Sequence, residues 1–189
     1  MALVRGNEIP TIDVALVTIT TANNATEIAL NTASKIGVTV QSETQDAVQL
    51  IIKGQLKAQK RARTTITGNT IVLTDNVLNP EVVKILQGGN IAYNASDNNK
   101  ITGYTPPAAG SSDKGEVFTL KAYSAIYDAA GLITGYECIE YPNCEGDPIA
   151  LESEDNVFRA PEYTINSAPK TGEPPYKITY VDVLPAVGE

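Results

Sequence analysis

The chain has 189 residues, the length of one domain of ordinary size that can bury a core without disulfides or metals. It carries 22 acidic and 14 basic residues, and the net charge of −8 argues against a protein that grips nucleic acid through its phosphates. It has no histidine and two cysteines, which excludes the commonest general base and every histidine-containing zinc site. This composition favours a soluble, non-catalytic and β-rich chain.

Alternation of apolar and polar residues with period two is the main pattern along the chain and is typical of half-buried strands. Residues Thr11–Thr20 form the first predicted strand, and Ile36, Val38 and Val40 form the apolar face of the second. Threonine occurs twenty times, and its β-branched side chain suits a pleated surface.

The longest alternating stretch runs from residue 46 to about residue 63. Apolar side chains such as Leu50 and Leu56 lie at its even positions, and polar or basic side chains lie at most odd positions. The pattern predicts one long strand with one polar and basic face. A helix is the alternative, because Gln, Leu, Lys and Ala are good helix formers, although Gly54 in the middle disfavours it.

A hairpin is predicted directly after this stretch. Residues 65–67 and 70–74 are rich in Thr, Ile and Val, and Gly68 and Asn69 lie between them. Both of these residues tolerate a positive φ, so they can form a two-residue turn.

The sequence predicts one helix, at residues 80–87. Asn79 can cap it, and Pro80 suits the first helical position because its missing N–H would have no partner there. Gly88 can end the helix, since glycine adopts a left-handed conformation without steric cost.

Residues 88–115 are rich in Gly, Asn, Ala and Ser and predict a long flexible loop. Residues 117–127 and 132–141 then predict a second hairpin. Shorter strands are predicted at residues 148–151, 157–164 and 176–184. The sum is nine or ten strands and one short helix.

These elements predict a mainly β fold in a single domain spanning residues 1–189, with extended termini. The expected architecture is a β-sandwich or partly rolled barrel with one short flanking α-helix.

The chain contains no phosphate-binding loop, dinucleotide fingerprint or nucleophile elbow. Glu152, Glu154 and Asp155 could hold Ca²⁺, but a solvated turn is the favoured interpretation. Cys138 and Cys144 could bridge across a turn, although reduced thiols are favoured, because residues 1–10 lack the apolar stretch of a secretory signal. We therefore predict no enzyme activity, no catalytic, cofactor-binding or metal-binding residue, and no cofactor.

Basic residues are concentrated in one place: Lys53, Lys57, Lys60, Arg61 and Arg63. A site for single-stranded nucleic acid would place aromatic residues among them for stacking, and residues 46–66 contain none. The pattern favours a polar strand face that is either solvated or paired with acids of a neighbouring subunit.

Three segments resemble the major tail tube proteins of long-tailed bacteriophages. Residues 73–89 (Leu-Thr-Asp-Asn-Val-Leu-Asn-Pro-Glu-Val-Val-Lys-Ile-Leu-Gln-Gly-Gly) are similar to their strand-to-helix segment. Residues 141–144 (Tyr-Pro-Asn-Cys) and 158–163 (Phe-Arg-Ala-Pro-Glu-Tyr) also resemble that family, as does the chain length. The likeness extends loosely from about residue 35 to residue 184.

The resemblance implies a tail tube fold and a structural virion protein that forms hexameric rings. Such rings stack into a hollow tube through which DNA passes, and each subunit gives strands to a shared inner barrel. The implied partners are other copies of the chain and the tape measure, tail terminator and distal tail proteins. DNA would pass transiently through the lumen without sequence-specific binding, and no membrane would be bound. The implied location is the phage virion tail, after assembly in the bacterial host cytoplasm.

Two further expectations depend on this resemblance. The basic residues should pair with acids at subunit or ring contacts, because unpaired cations lining the lumen would attract DNA. Residues 88–115 and the termini are candidate projections for ring stacking that become ordered on assembly. The alternative function is a β-sandwich binding module for surfaces or carbohydrates, which the absence of Trp disfavours.

Overall fold

Twelve strands and one helix are present in the part of the chain that the computed structural model describes, residues 8–22 and 27–186, with the side chains of residues 98 and 99 excepted. The elements are β1 (Thr11–Thr21), β2 (Ile28–Leu30), β3 (Ala33–Gln45), β4 (Val48–Ile52), β5 (Gln55–Lys60), β6 (Arg63–Asp75), α1 (Pro80–Gln87), β7 (Asn90–Asn94), β8 (Asp97–Thr105), β9 (Phe118–Tyr127), β10 (Ile133–Gly146), β11 (Glu162–Ser167) and β12 (Lys177–Val181).

Eight of the strands form one antiparallel sheet. Their order is β2-β1-β9-β10-β11-β6-β3, and β12 pairs with the first half of β10. The sheet curls, since β3 at one end contacts β1 near the other end. The predicted mainly β fold, a sandwich or partly rolled barrel with one short helix, is confirmed.

The main core lies inside this curled sheet and under α1. Its largest fully buried side chains come from four strands and the helix: Val17, Ile19, Ile71, Leu73, Val82, Leu86, Phe118, Leu120, Tyr163 and Ile165. A smaller cluster of Leu16, Tyr123 and Cys138 lies against Val181 and Leu184 near the C-terminus. Because β1 contributes Val17 to one cluster and Leu16 to the other, its central residues are buried on both faces.

The predicted helix is confirmed at its stated bounds. The Asn79 side chain accepts a hydrogen bond of 2.9 Å from the Glu81 N–H, and Pro80 occupies the first turn. Gly88, with φ of 82°, ends the helix and donates its N–H to the Lys84 carbonyl at 2.8 Å. The apolar face, which includes Val82 and Leu86, is buried against the sheet.

The second predicted hairpin is also confirmed, as β9 and β10. The Asp128 carboxylate closes its turn by accepting hydrogen bonds of 2.9 Å from the Ala130 and Leu132 N–H groups. The first predicted strand is confirmed as β1, and the second belongs to the longer β3.

The predicted single long strand at residues 46–63 is wrong. The chain reverses at Lys53-Gly54, so this stretch forms the two-stranded hairpin of β4 and β5 and then enters β6. A two-residue turn and a strand interior have similar local composition here, and the pattern of apolar residues does not distinguish them.

The predicted hairpin at residues 65–74 is wrong for the opposite reason. Gly68 and Asn69 lie inside the continuous strand β6, which pairs with β3 on one edge and β11 on the other. Position 68 requires glycine because the neighbouring strand is close, and not because the chain turns there: a Cβ on Gly68 would collide with the Ser167 carbonyl. The structure therefore uses Gly68 for close approach of two strands.

The predicted loop at residues 88–115 contains the hairpin of β7 and β8, so its long stretch without strands is reduced to residues 106–115. The Tyr104 hydroxyl donates to the Gly88 carbonyl at 2.7 Å and accepts from the Gln87 amide at 2.9 Å, which attaches this hairpin to α1. The predicted flexibility of the segment stays a prediction. The predicted extended termini include residues 1–7 and 187–189, which lie outside the described residues.

The remaining strand predictions are corrected in their positions. Residues 148–151 form no strand, because the Ile149 N–H donates to the Gln87 side chain at 2.9 Å instead of to a neighbouring strand. The strand predicted at 157–164 begins only at Glu162, and the last predicted strand is β12.

Both cysteines are free and buried, in agreement with the favoured interpretation of reduced thiols. The Cys144 thiol donates to the Tyr141 carbonyl at 3.3 Å, and burial raises the pKa of that thiol to about 11. Within residues 8–22 and 27–186, no helix is long and apolar enough to cross a membrane.

Candidate assembly surface

Every residue from 38 to 67 is exposed, and we call this segment the arm. It consists of the outer part of the β3–β6 pair and the whole of the β4–β5 hairpin. Eight large apolar side chains of the arm are exposed: Val38, Val40, Val48, Leu50, Ile51, Ile52, Leu56 and Ile66. A segment with this many exposed apolar side chains is typical of a surface that another molecule covers.

The hairpin at the end of the arm is well formed despite its exposure. Lys53 and Gly54 have φ of 50° and 76°, as a two-residue hairpin turn of the favoured twist requires. Ile52 therefore pairs with Gln55, and pairing continues to Val48 and Lys60 at the base.

Apolar pairs occupy both faces of this hairpin. Leu50 pairs with Ala58 and Ile51 pairs with Leu56, so the register shifts by one residue at Lys57. Opposite residues of an antiparallel pair share a face, and consecutive residues lie on opposite faces. The bulge thus gives each face an apolar pair, and a partner could contact the hairpin on either face.

The arm leaves the body of the protein at Gly68 and Asn69. The buried Asn69 side chain donates to the Pro175 carbonyl at 2.9 Å, which holds the segment before β12 against the base of the arm. Farther out, the hydroxyls of Thr44 and Thr64 lie 3.0 Å apart across the β3–β6 ribbon. The base of the arm is therefore ordered by the body, while its outer part depends on its own strand pairs.

The arm and the rest of the chain have opposite charge. The arm contains five basic and two acidic residues and carries +3, whereas the other residues include nine basic and twenty acidic ones and carry −11. The described part of the chain contains one ion pair, between Lys121 and Glu27, and it lies in the body. The Glu27 carboxylate raises the pKa of Lys121 through their hydrogen bond. No basic residue of the arm has such a partner within the described residues.

An exposed acidic segment lies between residues 145 and 162. Six exposed acidic residues and one basic residue, Arg159, give this segment a charge of −5. Arg159 donates to the Ser153 hydroxyl at 2.5 Å, so it does not neutralise a neighbouring carboxylate. The six acidic residues are Glu145, Asp147, Glu152, Glu154, Asp155 and Glu162.

A groove of about 540 Å³ lies between this segment and the beginning of β11, and we call it the acidic groove. Its lining includes Glu152, Glu154, Val157, Phe158, Pro161 and Glu162. The Phe158 side chain is 96% exposed, more than any other large apolar side chain of the described residues. The groove therefore combines an exposed aromatic ring with unpaired carboxylates.

The arm and the acidic groove lie at opposite ends of one strand pair. β6 pairs with β11 from Asn69 and Ser167 at one end to Thr74 and Glu162 at the other. At about 3.3 Å per residue, the two ends are roughly 17 Å apart. The β3–β6 ribbon continues outward from the Asn69 end, and the groove lies at the Glu162 end, so the ribbon leaves the body at the end far from the groove.

The structure places the residues singled out in the sequence as follows. Lys53, Lys57, Lys60, Arg61 and Arg63 all lie on the arm, as one exposed group. Glu152, Glu154 and Asp155 lie in the segment of residues 145–162. Within the described ranges, no three Cys, Asp or Glu side chains form a group that could hold a metal ion.

The sequence pattern does not reveal the arm, because the alternation at residues 46–63 predicts one strand of a sheet. The signal that could have revealed it is Lys53-Gly54, where a glycine follows a polar residue between two alternating runs.

No protein-family model matches the chain, and no curated protein matches it. The chain is similar to a chain of the cryo-EM structure of the anti-feeding prophage baseplate, 6-fold symmetrised. The identity is 7%, the match covers 96% of this chain and 97% of that chain, and the TM-score is 0.36. A likeness at this TM-score does not establish a shared fold, so no function is taken from it.

Proposed function

We propose that the chain is a structural protein that assembles with copies of itself into stacked hexameric rings, and that these rings form a hollow phage tail tube. The observation that carries the self-assembly is the arm, an ordered two-stranded projection whose residues are all exposed. The tail, the ring symmetry and the passage of DNA come from the resemblance of residues 73–89, 141–144 and 158–163 to tail tube proteins.

The apolar side chains of the arm support an assembly role. Exposed residues such as Leu50, Ile51 and Leu56 gain roughly 25 cal/mol for each Å² of apolar surface removed from water. An isolated two-stranded hairpin is marginally stable in water, so a covering partner would also stabilise its strand pairs.

Unpaired strand edges support lateral association of subunits. Within the described residues, β3 pairs only with β6, and β12 pairs only with β10, so each has one edge without a hydrogen-bonded strand. Such edges can pair with a strand of another chain. Strand pairing between subunits is what a shared inner barrel requires, because a channel wide enough for water and polymer needs about 16 or more strands.

The acidic body supports the passage of DNA without adhesion. A wall that carries −11 outside the arm would repel phosphates rather than release counterions on binding them. The arm carries the surplus of cations, and a tube without adhesion requires that these cations face protein acids instead of the lumen.

The proposed role is structural and not enzymatic, and the proposed location is the virion tail after assembly in the host cytoplasm. The tape measure, tail terminator and distal tail proteins are proposed partners at the two ends of the tube. A β-sandwich binding module is the alternative, and it predicts a stable monomer that is retained on glycan-coated beads.

The test is negative-stain microscopy of the full-length protein after concentration, with sedimentation velocity in parallel. We expect rings or hollow rods from the natural chain. The matched variant replaces residues 47–61 with a short Gly-Ser linker, which removes the β4–β5 hairpin and leaves all fully buried core residues in place.

We expect this variant to keep its far-ultraviolet circular dichroism and cooperative unfolding but to sediment as a monomer. A natural chain that stays monomeric at high concentration would refute self-assembly. Normal tubes from the variant would show that another surface drives the assembly.

A further inference from the structure

We infer that the arm of one copy docks in the acidic groove of the next copy, so that the copies join head to tail. This inference rests on the proposed self-assembly and goes beyond it, because it names the two surfaces that meet. The arm was described above as a projection without an assigned receptor, and the groove as a surface without an assigned occupant.

Charge complementarity selects the groove as the receptor. The arm carries +3, whereas the groove is lined by Glu152, Glu154 and Glu162 with one basic residue, Arg159, in a segment of residues 145–162 that carries −5. The basic residues of the arm and the six acids of the segment have no ion-pair partner within the described residues. Docking would bring two sets of unpaired charges of opposite sign together, which speeds association and disfavours other partners.

The apolar parts of the two surfaces also match. The groove presents Val157 and the almost fully exposed Phe158, and the hairpin presents an apolar pair on each face. A central aromatic side chain with polar residues at the rim is the usual arrangement of an interface in which a few residues dominate affinity. We assign that central position to Phe158.

The placement of the two surfaces favours a second copy over the chain's own arm. The β3–β6 ribbon leaves β6 at Asn69, and the groove begins at Glu162, which pairs with Thr74 at the far end of the same strand. Two complementary surfaces at opposite ends of one molecule form a heterologous contact, which repeats from copy to copy and produces rings or filaments.

The anchoring of the groove suits a receptor. Its segment is held at one end by the Ile149 N–H on Gln87, at 2.9 Å, and at the other by the Asp75 N–H on the Pro161 carbonyl, at 3.0 Å. Residues 150–160 between these anchors are all exposed. The ends are fixed to the helix and to β6, and the surface between them is free to receive the arm.

The test uses charge reversal in the full-length chain. The arm variant is Lys57→Glu with Arg61→Glu, and the groove variant is Glu152→Lys with Glu154→Lys. We expect each variant to fold and to raise the protein concentration needed for assembly by at least about tenfold, because like charges would face each other. Sedimentation velocity and negative-stain microscopy measure this concentration.

Mixing the two variants in equal amounts is the decisive measurement. The natural arm of one variant then meets the natural groove of the other, and the two reversed surfaces also complement each other. We expect the mixture to assemble again, at a protein concentration within about threefold of the one that the natural chain needs. The control variant, Glu81→Lys with Glu173→Lys, changes the charge equally at exposed sites outside the arm, the groove and residues 88–115, and it should assemble normally.

Phe158→Ala tests the apolar part of the proposed contact. It should weaken assembly without destabilising the monomer, because the aromatic side chain of Phe158 is exposed. If the natural chain assembles while the groove variant assembles equally well, the docking is refuted and self-assembly stands. If both single variants fail and the mixture also fails, the two surfaces do not meet, and the docking is likewise refuted. A natural chain that never assembles refutes the proposed function itself.

Discussion

The body and the arm of this protein are built from similar β-branched and apolar residues, yet the body buries them and the arm does not. In β6 the difference lies within one strand, since Ile71 and Leu73 are fully buried while Ile66, a few residues earlier, is exposed. The strand leaves the core at Gly68, where β11 ends. What changes at that point is the number of neighbouring strands, not the character of the sequence.

This contrast shows how a chain can reserve apolar surface for a partner. The body pairs the half-buried charges of Lys121 and Glu27, and it closes its core under α1. The arm leaves its apolar side chains exposed and its cations without ion-pair partners in the described residues. The body therefore holds the folding free energy of the monomer, and the arm can hold the free energy of assembly.

The largest expected effect separates the two regions directly. Phe118→Ala removes a fully buried ring from the core, and we expect it to lower the free energy of unfolding by about 3–5 kcal/mol. Ile51→Ala in the arm should change the same quantity by less than about 0.5 kcal/mol. Urea unfolding of dilute, monomeric protein measures both. An equal loss in the two variants would contradict the division into body and arm.

Alkaline pH should destabilise the body alone. Burial raises the pKa of the Cys144 thiol from 9.0 to about 11, so folding favours the neutral thiol. This contribution to stability is complete below pH 9 and is lost as the pH rises to about 11, by roughly 2–3 kcal/mol. Burial also raises the pKa values of Tyr141 and Tyr163 to about 12, so the loss of folding stability continues above pH 10.

Urea unfolding at a series of pH values checks this prediction. The stability advantage of the natural chain over Cys144→Ala should shrink between pH 9 and 11. The arm contains no Cys or Tyr, so the variant without residues 47–61 should keep the full alkaline loss. A loss that disappears with the arm would place the titrating groups outside the body.

The boundary between the regions should be sensitive to one methyl group. A Cβ on Gly68 would collide with the Ser167 carbonyl, so Gly68→Ala must push β11 away from β6. We expect a loss of about 2 kcal/mol in the free energy of unfolding. Gly103→Ala, in β8 with open space around it, should cost less than about 0.5 kcal/mol. Equal values for the two would mean that the arm leaves the body without this close contact.

The smallest expected effect concerns two glycines with nearly the same positive φ. Gly54 has φ of 76° and Gly131 has φ of 79°, and neither has a neighbouring atom within 4 Å of an added Cβ. Gly131→Ala, in the body hairpin, should cost about 1 kcal/mol of global stability. Gly54→Ala should leave global unfolding unchanged and only speed hydrogen exchange of amides in β4 and β5. A matching global loss from Gly54→Ala would show that the arm folds as part of the body.

Elements with local signals could be predicted from the sequence. The helix at Pro80–Gln87 depends on Asn79 and Gly88 beside it, and the β9–β10 hairpin depends on Asp128 in its turn. Each of these signals acts within a few residues, so no knowledge of distant partners was needed. The mainly β fold followed from the same alternation and was confirmed.

The arm could not be predicted, because local alternation does not record how many neighbours a strand has. Residues 46–63 alternate as a half-buried strand does, but no other part of the described chain covers them. The acidic groove also depends on distant residues, since Gln87 and Asp75 fix the ends of a segment that follows much later in the sequence.

Composition and short-range patterns thus determined that this chain is acidic, rich in strands and supplied with one capped helix, because these properties depend on side chains and their immediate neighbours. The tertiary structure decided that Gly68 lies in a strand while Gly54 lies in a turn, and that cations gather on an exposed arm at one end of β6 and carboxylates at the other. Those outcomes depend on strand pairing across long stretches of chain, and such pairing is settled only when the sheet closes around its core.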